Sequence, residues 1–287
     1  MVFAACIKSF IRFLMLERLN VNTCTTIPVD ALDYRGFNAP LHRYEHMSSF
    51  QVPAAEGESR HQFPVEGLPS DSLLVNKQSP TLVVSFNSGF DQVKYEPPRF
   101  ERLSSLNDLP VSVLYLTDPY LHVSNDLQLT WFVGTEKVDL IELSTQFVCE
   151  VARQLGVERI VLTGFSAGGF AALQVSRRMK DSLAVPFDAQ SDITLDQGFY
   201  PKFHRAYLAR IWPHLWDGDE ESFSNAAKVW KNLLGIRTSA VASYEQGFDN
   251  FVYYCQNIND HFHIEYCLPF KAVTDASDRK DAVVYSL

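Results

Sequence analysis

The feature that most constrains this chain is Gly164-Phe165-Ser166-Ala167-Gly168-Gly169, set between the apolar run Arg159-Ile-Val-Leu-Thr163 and an apolar helical stretch through about Met179. A short β-branched run that stops at a glycine reads as a buried strand, and the spacing that follows it reads as a helix. Strand must therefore pass into helix within a few residues. A turn that sharp forces unusual dihedrals and brings the strand end against the helix start. The positions two before and two after the serine can meet that demand only if they carry almost no side chain. Ser166 then stands above the C-terminal edge of a sheet, and the Ala167 N–H heads a helix whose N-terminus favours negative charge.

The surrounding pattern says which sheet this is. Thr81-Leu-Val-Val-Ser-Phe86 ends at the turn Asn87-Ser88-Gly89, and Val111-Ser-Val-Leu-Tyr-Leu116 ends at Thr117-Asp118-Pro119. Asp139 to Leu155 carries apolar residues at helical spacing and stops at Gly156. Leu183-Ala-Val-Pro-Phe187, Asn250-Phe-Val-Tyr-Tyr-Cys255 and Ala282-Val-Val-Tyr-Ser-Leu287 read as further strands. Short, nearly all-apolar strands alternating with helices predict an α/β fold with a mostly parallel central sheet covered by helices on both faces. Residues 23–80 are rich in turn formers and predict a few short edge strands and loops. Residues 193–248 interrupt the alternation with Trp212, Trp216 and Trp230 and read as a helical insertion. With 287 residues, a single domain over 1–287 accounts for all of it.

Composition excludes several functions. The 25 Lys+Arg against 34 Asp+Glu give a net charge of −9, which disfavours a nucleic acid or an anionic lipid surface as partner. The five cysteines, Cys6, Cys24, Cys149, Cys255 and Cys267, form no CxxC pair and predict neither a metal site nor a disulfide framework. The N-terminal run Met1–Asn20 is cut by Lys8, Arg12 and Glu17. It is thus unlike a signal peptide's uninterrupted apolar core and shorter in apolar length than a membrane span. It reads as an amphipathic surface helix, and the chain as a cytoplasmic protein without a membrane span.

On the turn Gly164-Phe165-Ser166-Ala167-Gly168 and the order of elements around it, residues 81–287 resemble the α/β-hydrolase superfamily, whose G-x-S-x-G nucleophile elbow this pentapeptide matches. The resemblance implies a serine hydrolase that cleaves a carboxylic ester or related acyl compound through an acyl-enzyme on Ser166, with no cofactor and no metal. It implies oxyanion donors at the backbone N–H of Ala167 and of Ser88 or Gly89, in the loop where many relatives carry His-Gly-Gly and this chain carries Asn87-Ser88-Gly89. The triad order Ser, acid, His points to Asp260, after the strand ending at Cys255, with Asp192 in reserve beside Asp188. The base is expected in the loop past Val283-Val-Tyr-Ser-Leu287, where this chain stops. Either His263, or less favourably His261, serves in its place, or the base is absent. Residues 193–248, with Tyr200, Phe203 and Tyr207, then form a lid over an apolar acyl pocket for a small-molecule ester.

Two other readings share the residues. Asp188-Ala-Gln-Ser-Asp-Ile193 resembles hydrolase-fold proteins that modify or export bacterial surface polysaccharides, as accessory proteins without a complete triad or as acyltransferases. Thr163-Gly-Phe-Ser-Ala-Gly168 also fits the first half of a dinucleotide-binding loop. Its third glycine position is Phe170, however, and such a loop follows the first strand of its domain rather than a later one.

Overall fold

A computed structural model describes residues 39–194, 201–216 and 218–287, all within one compact unit, Asp33–Leu287. The expected surface helix at Met1–Asn20, Cys6, Cys24 and Tyr200 lie outside the described residues.

Nine strands form one sheet: β1 (Leu41–Arg43), β2 (Gly57–Val65), β3 (Leu68–Asn76), β4 (Thr81–Phe86), β5 (Ser112–Leu116), β6 (Arg159–Phe165), β7 (Leu183–Phe187), β8 (Phe251–Cys255) and β9 (Val283–Ser286). Their spatial order is β1-β2-β3-β5-β4-β6-β7-β8-β9. Only the β2–β3 and β3–β5 pairs are antiparallel. The α-helices are α1 (Leu103–Leu106), α2 (Leu140–Leu155), α3 (Ala167–Arg177), α4 (Pro201–Ile211), α5 (Phe223–Leu234), α6 (Ala240–Glu245) and α7 (Leu268–Asp275). From β4 the chain crosses one way to β5, then returns past β4 to β6. The C-terminal ends of β4 and β6 therefore face a crevice from which the connections diverge, the place where open α/β sheets bind ligands.

Register explains the layers. Leu74, Leu114, Val84, Leu162 and Ala184 lie side by side on one face, all fully buried, and α2 and α3 pack together there. Leu73, Tyr115, Ser85, Thr163 and Val185 line the other face. Over its β5–β4 part, Phe100, Leu103 and Leu106 of the segment 99–107 are buried, with Ser85 Oγ donating to Glu101 O at 3.0 Å. The predicted helix over 139–155 forms as α2. Asp139 caps it by accepting from Glu142 N at 3.0 Å, a contact worth about 1 kcal/mol, and Gly156 ends it at φ 65°.

The region read as short strands and loops contains instead a hairpin of two nine-residue strands, β2–β3. Glu66 and Gly67, both at positive φ, make its two-residue turn, and Pro64 pairs with Pro69 beside it. Prolines at the hairpin end forgo few ladder hydrogen bonds, which is why these turn-forming residues are compatible with long strands. Within 193–248 the described residues include helices α4, α5 and α6. Tyr207, Trp212 and Trp230 are fully buried and belong to the main hydrophobic cluster.

His61 in β2 is wholly buried. Its Nδ1 and Nε2 each lie 2.9 Å from a hydroxyl, of Tyr44 and Ser59, and its ring stacks on His42. Burial first, then the charge of His42, lowers its pKa to about 4. The folded state thus keeps His61 neutral, while the unfolded chain takes up the proton below about pH 6.5. Stability from this group is present above pH 6.5 and lost as pH falls towards 4. The difference in unfolding free energy between wild type and His61→Gln should shrink by about 3 kcal/mol across that window, as read by urea titrations at each pH.

Candidate active site

The strand-to-helix turn at Ser166 forms as its glycines require. An added Cβ on Gly164 would lie 2.3 Å from Gly168 C, and one on Gly168 would lie 2.5 Å from Phe86 O. One on Gly169 would meet Ala189 Cβ at 2.6 Å. Backbone thus runs against backbone at the β6–α3 junction and at the end of β4. Ser166, between them, is held at φ 52°, ψ −113°, outside the regions open to most L-residues. Three backbone bonds fix it: its N–H donates to Phe187 O at 3.1 Å, and its carbonyl accepts from Phe170 N and Gln190 N at 3.1 and 3.3 Å. The Ser166 hydroxyl makes no cap bond to the helix. Ala167 and Gly168 open α3, where their N–H groups have no intrahelical acceptor.

The loop after β4 lies directly against this turn. Asn87 acts as a brace. Its Oδ1 accepts from Asp118 N at 2.9 Å and its Nδ2 donates to Ser88 O at 2.9 Å. Asp118 is buried and accepts from Tyr120 N and Phe132 N; burial dominates over these bonds and pushes its pKa up to about 6. Of the expected donors, Ser88 N–H is already engaged, donating to Glu101 Oε2 at 2.5 Å. A Cβ on Gly89 would lie 2.8 Å from Leu129 Cδ2, the movable end of that side chain.

The structure joins Asp260 to His261 rather than to His263. Asp260 Oδ1 lies 3.0 Å from His261 Nδ1 and also accepts from Phe262 N, so it caps its own turn as well. His263 opens a single π-helical turn, His263–Cys267, and its buried Nδ1 has no hydrogen-bond partner. Among the described residues, no histidine is hydrogen-bonded to Ser166. Asp192 is committed elsewhere, accepting from Thr194 N and from the hydroxyl of Ser239, the cap of α6.

Several residues at the site carry no sequence signal. Asp188, at φ 40°, follows the strand residue whose carbonyl holds Ser166, and its Oδ1 accepts from Gln256 Nε2 and Asn257 N at 2.8 and 2.6 Å. It ties the Asp260 loop to the elbow. Trp131 Nε1 donates to Gln190 Oε1 at 2.7 Å, and the Trp131 ring stacks on His204 of α4, linking the 193–248 insertion to the residue that bonds Ser166. Among the described residues, no group of His, Cys, Asp and Glu side chains is placed to hold a metal, and no helix is long and apolar enough to cross a membrane.

No protein-family model matches this chain, and no curated protein matches it in sequence. Solved structures do resemble it. The capsule O-acetyltransferase of Neisseria meningitidis serogroup A superposes with a TM-score of 0.52 at 11% identity, over 78% of this chain and 87% of that one. The acylaminoacyl peptidase of Pyrococcus horikoshii gives 0.50 at 14%, over 80% and 36%. A glycosylation-associated protein complex from Streptococcus agalactiae gives 0.50 at 12%, over 80% and 41%. The chain has the α/β-hydrolase fold. Identities this low carry the fold and nothing finer.

The contact at Gly168 generates a test. A methyl group there must displace the carbonyls of Phe86 and Asn87, so Gly168→Ala should destabilise the protein by about 1–3 kcal/mol. Thermal unfolding should show a Tm several degrees lower. An unchanged Tm would mean the two backbones do not approach this closely.

Proposed function

We propose that this chain is a serine-dependent acyl-transfer enzyme acting on a carboxylic ester or related acyl compound. The observation that carries this reading is the Ser166 backbone, a non-glycine residue held in a disfavoured conformation where strand, helix and β4 loop converge. Strain of about 1–3 kcal/mol persists where the surroundings over-determine it, and it clusters at sites of chemistry.

Ser166 Oγ attacks the acyl carbon while its proton passes to a base. The tetrahedral oxyanion accepts from the N–H groups of Ala167 and Gly89. The bond to the leaving alcohol breaks as that alcohol takes up the proton, leaving an acyl-enzyme. Water, or the hydroxyl of an acceptor, then attacks with the same base and releases the acid or the new ester. Asp260 and the histidines of its turn supply acid and base. His261 is the one Asp260 orients, and His263 follows two residues later at the start of the π-helical turn. Their contact with Ser166 forms when substrate is bound, since such bonds are often long or open in free enzymes. Ser88 N–H joins the oxyanion donors once the Glu101 carboxylate withdraws from it. The helices of 193–248 act as the lid over the acyl group, anchored through Trp131 and Gln190.

A second reading rests on the open serine. With no histidine hydrogen-bonded to Ser166 among the described residues, the chain fits a hydrolase-fold accessory protein or acyltransferase of surface-polysaccharide modification or export. The structural likeness to a capsule O-acetyltransferase and to a glycosylation-associated complex supports that direction.

Labelling with a fluorophosphonate probe separates the two. Wild type should label and Ser166→Ala should not. Replacing the histidine that acts as base, in His261→Ala or His263→Ala, should slow labelling by a factor of about 10²–10⁴. Glu101→Ala, which frees Ser88 N–H, should accelerate it. Failure of wild type to label removes the enzyme and leaves the accessory protein.

A further inference from the structure

One cation at the sheet edge is left unspent by the fold. Arg102 starts α1 at a positive φ of 68° and reaches back over the face that carries Thr163 and Phe187. Its guanidinium carbon lies 4.2 Å from the centre of the Phe187 ring. Its one hydrogen bond, from Nη1 to Thr163 Oγ1, is long at 3.5 Å. A guanidinium has five N–H donors, so four have no protein acceptor among the described residues. The acidic groups around it are occupied with other tasks. Glu101 Oε2 accepts from Ser88 N, and Asp188 Oδ1 accepts from Gln256 and Asn257. Burial pushes the Cys255 thiol up to about 12, so it is neutral. Burial disfavours the charge on half-buried Arg102 and the neighbouring Glu101 carboxylate partly offsets that, while the Phe187 ring lies beneath the guanidinium. A half-buried guanidinium whose N–H fork is mostly unused gains by receiving an anion.

The position relates this cation to Ser166. Thr163 precedes the serine by three residues, roughly 10 Å at about 3.3 Å per strand residue. Phe187, under the guanidinium, supplies the carbonyl that accepts the Ser166 N–H. We propose that Arg102 recognises an anionic group, a carboxylate or a phosphate, on the substrate whose acyl group Ser166 takes. The proposal rests on the reading of Ser166 as nucleophile. It narrows the substrate to an acyl compound with a negative charge held a few bonds from the ester. A planar guanidinium binds either anion through paired N–H bonds, and the Phe187 ring supports its flat face.

Calorimetric titration of the full chain with sodium succinate, inorganic phosphate or sodium chloride, at constant ionic strength, tests the site without turnover. Succinate or phosphate should bind at least tenfold more tightly than chloride, and the tighter of the two assigns the anionic group. Arg102→Gln should lose at least tenfold of that affinity. Arg102→Lys, which keeps the charge without the fork, should retain part of it and serves if the glutamine variant does not fold. In kinetics, wild type should prefer the mono-4-nitrophenyl ester of succinic acid over 4-nitrophenyl acetate in kcat/KM, and Arg102→Gln should lose that preference by tenfold or more. Succinate and phosphate binding no tighter than chloride, or an Arg102→Gln protein that binds as wild type, overturns the proposal. Anion binding that survives in a protein whose Ser166 fails to label removes the nucleophile and leaves the anion site.

Discussion

The structure depends on one close approach of backbone to backbone. Gly164 at the end of β6 and Gly168 at the start of α3 leave no room for a β-carbon, and the Phe86 carbonyl of β4 presses on Gly168 from the other side. The geometry of the candidate site at the sheet edge is built around that contact. It forces the positive φ of Ser166, directs the first N–H groups of α3 towards the crevice, and sets the Asn87-Ser88-Gly89 loop beside them. The strain is held by neighbours: Phe187 O, Phe170 N and Gln190 N all bond the Ser166 backbone. Each bond is ordinary, of about 1 kcal/mol net, but together they leave the residue no alternative conformation.

A second layer of polar contacts ties distant segments to that junction. Asp188 holds the loop after β8, Asn87 and Asp118 lock the ends of β4 and β5 together, and Trp131 with Gln190 joins the insertion to the elbow. Glu101 and Arg102, adjacent in the chain, divide the edge between them. The carboxylate sits on Ser88 N–H and the guanidinium lies over Phe187.

The parts of the fold visible in the sequence are those whose cause is local. The strands at 81–86, 159–165 and 183–187 are continuous apolar runs because both of their faces are buried. Helix α2 announces itself through Asp139 and Gly156, whose capping chemistry acts within a few residues. The long hairpin β2–β3 was less legible, since its prolines are turn formers in most settings and only the pairing of Pro64 with Pro69 makes them compatible with a ladder. Within the site, Ser166 and the glycines around it were legible. The pairing of Asp260 with His261, the engagement of Ser88 and the brace at Asn87 were not, because each depends on side-chain direction across a loop.

By itself, the sequence determined that a strand must turn abruptly into a helix at Ser166, and hence that the chain builds a parallel α/β sheet with a serine at its edge. The exclusion between Gly164 and Gly168 is a property of neighbouring residues, whereas the contacts of Gly168 with Phe86 and of Gly169 with Ala189 come from the tertiary fold. Only the tertiary structure decided which groups surround that serine. Phe187 and Gln190 come from the end of β7 and the loop after it, Phe86 from the end of β4, and Asp188 ties in the loop after β8. Their convergence is set by strand order and register, and neither is written in any one stretch of the chain.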